Sequence, residues 1–100
     1  MKLALLELPE SELARYCHRN QIRELAIFGS ALRDDFGPES DVDLLVEFEP
    51  NAEIGFLALA RMQRELSAII GRRVDLVPKD GLKPLVRRAI LDSARVVCAA

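Results

Sequence analysis

The stretch between Ile27 and Val46 constrains this chain most, because it joins a Gly-Ser turn to a strand that begins with two aspartates. Gly29-Ser30 is followed, after ten residues, by Asp41-Val42-Asp43. From residue 41 to residue 48 the side chains alternate in the way that a strand with one buried face requires. Val42, Leu44, Val46 and Phe48 share one face, and Asp41, Asp43, Leu45 and Glu47 share the other. Both aspartates are therefore expected to project from the same side of a sheet.

Helical and extended patterns alternate along the rest of the chain. We expect helices over residues 9–20, 30–34, 53–70 and 82–91, and strands over 24–28, 41–48, 72–77 and 94–98. Gly71 is expected to cap the helix over 53–70. This order of elements predicts an α/β fold, a mixed three- to four-stranded sheet with helices packed on it.

The last predicted helix has an apolar side and a charged side. Its buried residues are expected to be Leu85, Val86, Ala89 and Ile90, and its solvated residues Lys83, Arg87 and Arg88. Arg72 and Arg73 are likewise expected on a solvated face. For both arginine pairs, contact with a partner or a substrate is the alternative.

Length and charge bound the class of protein. One hundred residues predict a single domain over 1–100, and a net charge of −2 argues against direct binding of nucleic acid. No run approaches the roughly 18 apolar residues of a spanning helix, and residues 1–7 are interrupted too early for a signal peptide, so we expect a cytoplasmic protein. Cys17 and Cys98 lack metal-binding or C-x-x-C spacing, which predicts reduced thiols rather than a disulfide or a zinc site.

The aspartates of the central strand have the spacing of metal ligands. Residues i and i+2 of a strand have Cα atoms roughly 6.5 Å apart and side chains that point the same way, so Asp41 and Asp43 can converge on one cation. Magnesium suits this pair because it takes one or two carboxylates and completes its shell with water and substrate phosphates. Asp75 lies on the next predicted strand, where it can complete the metal shell or accept the proton of an attacking hydroxyl.

The Gly-Ser turn has the composition of a phosphate cradle. Backbone amides of Gly29 and Ser30, together with the Ser30 hydroxyl, can hold phosphate oxygens, and glycine permits their close approach. Arg33, one turn later, can add a bidentate phosphate contact. Each feature alone is more often an ordinary turn, a strand start or a surface charge. Their joint occurrence favours a metal-dependent site for a nucleoside triphosphate.

Other catalytic arrangements are poorly supported. Ser30 has no histidine partner in the sequence, and the lone His18 is expected on the surface of the first helix. Neither the Walker lysine motif nor G-x-G-x-x-G is present, which argues against P-loop and Rossmann sites.

The segments 22–30, 40–48 and 73–77, with the helix start at Leu82-Lys83-Pro84, resemble the minimal nucleotidyltransferases (MNT domains) of the DNA polymerase beta superfamily. The resemblance implies the polymerase beta-like fold. It also implies that Gly29 and Ser30 hold the nucleotide phosphates, that Asp41 and Asp43 bind Mg²⁺, and that Asp75 completes a catalytic and metal-binding triad. Ser40, next to the Asp-x-Asp pair, is expected to join Arg33 in binding the nucleotide.

Many proteins of this kind and length are antitoxins that transfer AMP from ATP to a tyrosine of a HEPN-domain ribonuclease toxin. The resemblance therefore implies a protein adenylyltransferase that forms a hetero-oligomer with such a toxin. Two alternatives stay open. The domain can neutralise a toxin by steric binding without catalysis, or it can transfer a nucleotide to a small molecule such as an aminoglycoside.

Overall fold

The computed structural model describes residues 2–3, 6–33 and 36–99. A short hairpin, β1 (Lys2–Leu3) and β2 (Leu6–Glu7), precedes α1 (Glu10–Arg19) and β3 (Ile22–Phe28). A 3-10 turn (Gly29–Leu32) follows β3, and then come β4 (Val42–Phe48), α2 (Phe56–Ile70) and β5 (Val74–Pro78). A second 3-10 turn (Lys79–Gly81) leads to α3 (Pro84–Ser93) and β6 (Arg95–Ala99).

The four longer strands form one mixed sheet in the order β5-β4-β3-β6. Strand β3 is antiparallel to β4 and β6, whereas β4 and β5 are parallel. The register makes Asp43 the partner of Phe28 on one side and of Asp75 on the other. Residues paired across a sheet point to the same face, so the two carboxylates lie side by side on adjacent strands.

The opposite face of the sheet carries the hydrophobic core. Leu44 of β4 packs in one cluster with Leu13 of α1 and Leu66 of α2, and all three side chains are fully buried. Between the two helices, the Tyr16 hydroxyl donates a hydrogen bond to Oε1 of Glu65 at 2.6 Å. Burial, together with this bond to a carboxylate, raises the pKa of Tyr16. Helices α1 and α2 thus pack on the face of the sheet opposite to Asp43 and Asp75.

Most predicted elements are confirmed, with shifted ends. The predicted cap is present, since Gly71 has a left-handed φ of +77° and its N–H donates to the Ser67 carbonyl. The short helix expected over 30–34 is a 3-10 turn that ends at Leu32, and Asp34 lies outside the described residues. Strand β3 starts earlier than predicted, while α2, β5 and α3 each start two or three residues later.

The predicted burial of the last helix is wrong. Leu85 is 97% exposed and Val86 is 47% exposed, Ala89 is also exposed, and Ile90 is only half-buried. Arg87, expected in solvent, is instead half-buried and donates from Nη1 to the Lys79 carbonyl at 3.1 Å. Helical spacing identifies an apolar side but does not say whether another element covers it.

The two cysteines also depart from expectation, because Cys17 and Cys98 are joined in a disulfide. Helix α1 packs against β6, and this brings together two residues that lie 81 positions apart in the sequence. Motif spacing detects only cysteines that are close in sequence, so it could not find this pair. Within the described part of the chain, no helix is long and apolar enough to cross a membrane.

Candidate nucleotide and metal site

Gly29 begins the turn between β3 and β4 and lies directly against a carboxylate. Its φ of +74° falls in the left-handed region that glycine adopts without strain. A Cβ at this position would collide with Oδ2 of Asp43. Glycine is therefore required here twice over, by the backbone conformation and by the closeness of the Asp43 side chain.

Ser30 ties the turn to the start of β4. Its backbone N–H donates to the carboxylate of Asp43, and its hydroxyl donates to the backbone carbonyl of Asp41 at 3.2 Å. The same donors were expected to hold phosphate oxygens. Here they bind the Asp43 carboxylate and the Asp41 carbonyl instead, so their role in phosphate binding stays a prediction.

The carboxylates interact electrostatically. Burial raises the pKa of Asp43 above its ordinary value, and the charges of Asp75 and Asp41 raise it further. The hydrogen bond from Ser30 and the charge of Arg33 act in the opposite direction. The ionised form of Asp43 is thus less stable than that of a solvated aspartate, and a nearby cation would stabilise it.

This donor set fits a magnesium ion. Asp43 on β4 is paired with Asp75 on β5, and Asp41 is the residue just before β4. The charges of Asp75 and Asp41 both act on Asp43, and this repulsion favours a cation near its hard carboxylate oxygens. In the described ranges, no three His, Cys, Asp or Glu side chains form a group that could hold a metal ion, so the three aspartates are not gathered around one point here. Asp41 instead approaches Nη1 of Arg73 at 3.8 Å. Magnesium needs no such cage, since it usually keeps several waters and takes further oxygens from substrate phosphates.

The two remaining predicted residues flank this centre. Arg33 is exposed, and its N–H donates to the Ser30 carbonyl at 3.0 Å, which closes the 3-10 turn. The Ser40 hydroxyl accepts a hydrogen bond from the Gly37 N–H at 3.1 Å, so it stabilises the loop before β4. A role for either side chain in nucleotide binding stays a prediction.

Arg72, which was expected in solvent, has a structural role beside the site. The residue is half-buried, and its Nη2 donates to the carbonyls of Gly37 at 2.6 Å and Ser40 at 2.8 Å. Its guanidinium also lies 4.5 Å from the centroid of the Phe36 ring. Arg72 lies two positions before β5, and the parallel pairing of β4 and β5 brings this segment beside the residues before β4. Local sequence gives no signal for this contact.

Comparison with known proteins identifies the family. The nucleotidyltransferase domain model matches residues 10–97. Protein adenylyltransferase MntA of Thermococcus cleftensis is 35% identical over 95 residues, which cover 89% of this chain and 94% of that protein. A solved structure assigned provisionally as a minimal nucleotidyltransferase is 34% identical, with a TM-score of 0.72 over 86% of both chains.

A more distant likeness concerns a complex. The structure of a tri-AMPylated Shewanella oneidensis HEPN toxin with its MNT antitoxin has a TM-score of 0.66 at 16% identity, over 91% of this chain and 70% of the matched chain.

The predicted α/β nucleotidyltransferase fold is confirmed. The chain belongs to the nucleotidyltransferase domain family and, within it, to the minimal, MntA-like protein adenylyltransferases.

Proposed function

We propose that this protein is an antitoxin that transfers AMP from ATP to a tyrosine hydroxyl of a HEPN ribonuclease toxin. The observation that carries the proposal is the pairing of Asp43 with Asp75 on adjacent strands, directly beside the Gly29-Ser30 turn. The MntA relative and the AMPylated Shewanella complex support this choice of donor and acceptor.

The proposed reaction is an in-line displacement at the α-phosphorus of ATP. The tyrosine oxygen forms a bond to this phosphorus while the bond to the oxygen that bridges the α- and β-phosphates breaks. AMP remains on the tyrosine and pyrophosphate leaves. Mg²⁺ held by Asp41 and Asp43, when bound, supplies charge neutralisation at the phosphates.

Residues of this chain orient the triphosphate and take up the proton. When ATP binds, the N–H and the hydroxyl of Ser30 donate to phosphate oxygens in place of the aspartates. The phosphate can approach the turn closely because Gly29 has no side chain. Arg33 and Ser40 add contacts to the nucleotide. Asp75 is exposed beside Asp43 and accepts the proton that the tyrosine hydroxyl loses.

The exposure of the site favours a protein as the acceptor. Asp43 is half-buried whereas Asp75 is exposed, so the carboxylate pair is open to solvent on one side. A tyrosine on the surface of a second protein can approach from that side. A hetero-oligomer with the toxin then supplies the orientation that this small domain does not provide by itself.

The test uses ATP labelled at the α-phosphate, Mg²⁺ and the HEPN toxin. We expect label on a tyrosine of the toxin with the wild type, and a loss of at least 100-fold with Asp41→Asn or Asp43→Asn. Asp92→Asn is the matched control, because this carboxylate is exposed on α3 and pairs only weakly with Arg88 at 3.8 Å. It is expected to transfer label at the wild-type rate.

Two results would contradict the proposal. If the wild type leaves the toxin unlabelled yet neutralises it as well as Asp43→Asn does, the protein acts by steric binding. If label enters an aminoglycoside or another small molecule in the absence of toxin, the acceptor is not a protein.

A further inference from the structure

The loop that leads into β4, which we call the lead-in loop (residues 36–41), delivers the first aspartate of the site. At its start the Phe36 N–H donates to the Arg33 carbonyl at 3.4 Å, and at its end the Asp41 carbonyl accepts from the Ser30 hydroxyl at 3.2 Å. Between these ends, the Ser40 N–H donates to the Gly37 carbonyl at 3.1 Å and the Gly37 N–H donates to the Ser40 hydroxyl. These two bonds close a small turn over 37–40. They do not attach that turn to the rest of the protein.

Arg72 supplies the attachment. Its Nη2 binds the Gly37 and Ser40 carbonyls at 2.6 and 2.8 Å, so one nitrogen joins both ends of the turn. The guanidinium plane is held by the buried ring of Phe36, 4.5 Å away. Hydrogen bonds from a charged donor are among the stronger ones in proteins, and a stacked guanidinium loses little freedom when it forms them.

The neighbouring residue extends the same connection. The Val42 N–H donates to the Arg73 carbonyl at 2.8 Å, so the backbone before β5 also holds the first residue of β4. Asp41 therefore lies between two anchors, Ser40 on Arg72 and Val42 on Arg73. These anchors hold the backbone on either side of Asp41, whose own carbonyl accepts from the Ser30 hydroxyl and whose carboxylate approaches Nη1 of Arg73 at 3.8 Å.

We infer that Arg72 is a positioning residue that clamps the lead-in loop and so fixes Asp41 for binding of the metal-triphosphate. The inference rests on the proposed function for the identity of the ligand. Arg72 does not touch the reacting atoms; it acts through the backbone on either side of Asp41. Loosening the clamp weakens the binding of MgATP and leaves recognition of the acceptor protein unchanged.

The first variant is Arg72→Lys, which keeps the charge but removes the planar donor group and its stacking on Phe36. Binding is measured by calorimetry with Mg²⁺ and an ATP analogue that has a methylene bridge between the α- and β-phosphates. We expect about a tenfold loss of affinity. Arg64→Lys, at an exposed position of α2, is the matched control and is expected to stay within about twofold of the wild type.

Kinetics and hydrogen exchange separate positioning from a general loss of structure. In the transfer assay, the KM for MgATP is expected to rise about tenfold while the KM for the toxin does not change. The amides of Gly37 and Ser40 are expected to exchange faster in Arg72→Lys, and those of the buried strand β4 at the wild-type rate. A folded Arg72→Lys that binds the analogue as tightly as the wild type overturns the inference.

A second variant covers the case in which Arg72→Lys does not fold. Phe36→Leu keeps an apolar side chain in the core but removes the ring from the guanidinium, and about a threefold loss of affinity for the analogue is expected. Unchanged affinity in this variant overturns the inference. If analogue binding falls as expected but no variant or wild type labels the toxin, the clamp stands and the proposed acceptor is wrong.

Discussion

Replacement of Gly29 by alanine tests the geometry of the turn against the carboxylate. The substitution forces a residue with a side chain to adopt φ of +74° and drives its Cβ into Oδ2 of Asp43. Gly71 provides a matched control. It has nearly the same φ, +77°, but a Cβ there meets no heavy atom within 4 Å. Gly71→Ala therefore measures the backbone cost alone.

The expected magnitudes follow from these contacts. A left-handed conformation costs an alanine about 1–2 kcal/mol, and this term is common to both variants. At Gly29 the Asp43 carboxylate must also move, and it loses the hydrogen bond from the Ser30 N–H. A hydrogen bond to a charged group is worth about 1.5–3 kcal/mol, part of which returns when the displaced carboxylate is hydrated. Gly29→Ala should thus lower the free energy of unfolding by about 2–4 kcal/mol and Gly71→Ala by about 1–2 kcal/mol.

Urea unfolding measures the stability of both variants, and transfer of labelled AMP measures their activity. Displacement of Asp43 by about 1 Å should slow transfer by on the order of 100-fold in Gly29→Ala. Gly71→Ala, whose Cβ meets no heavy atom within 4 Å, should transfer at the wild-type rate under conditions in which it is folded. Equal losses of stability in the two variants, or an active Gly29→Ala, would refute the packing of Gly29 on Asp43.

Three further predictions concern charge, pH and burial. Asp75→Asn should slow transfer at least 100-fold without lowering the free energy of unfolding, since it removes a negative charge beside Asp43; a urea midpoint well below that of the wild type would contradict this. Because the pKa of Tyr16 is raised in the folded protein, the wild type should keep its full free energy of unfolding below about pH 10 and lose stability above it, whereas Tyr16→Phe should not show this loss. Urea midpoints of the two proteins that run parallel from about pH 8 to 11 would refute this prediction. Leu85→Ser should change the free energy of unfolding by less than about 0.5 kcal/mol, whereas Leu66→Ala, at a fully buried position, should lower it by about 2–5 kcal/mol, as urea titrations of the pair will measure.

The alternation of side chains along residues 41–48 was sufficient to predict the central strand, which begins at Val42 and carries Asp43. A period of two assigns each residue to one side of a sheet, and the structure buries Val42, Leu44 and Val46 as expected. Leu45 on the other face is buried as well, and Phe48 is only half-buried. The Gly29-Ser30 turn was predictable for a related reason, because a glycine after a buried strand predicts a turn at that point. These features depend on local sequence alone.

Long-range contacts were not predictable in the same way. The disulfide between Cys17 and Cys98 depends on α1 packing against the edge strand β6, which no local pattern encodes. Arg72 reaches loop carbonyls 32 and 35 positions earlier in the chain, and backbone carbonyls leave no trace in a sequence. The exposure of Leu85 was also not predictable, since an amphipathic pattern marks the apolar side of a helix but does not show whether another element packs against that side.

The intact mass of the HEPN toxin after co-expression tests the central claim most directly. With the wild-type protein, the account predicts that the toxin gains the mass of one or more AMP units, located on tyrosine by fragmentation. With Asp43→Asn, the toxin should keep its unmodified mass and its ribonuclease activity. An unmodified toxin that the wild type and Asp43→Asn neutralise equally well would contradict the account.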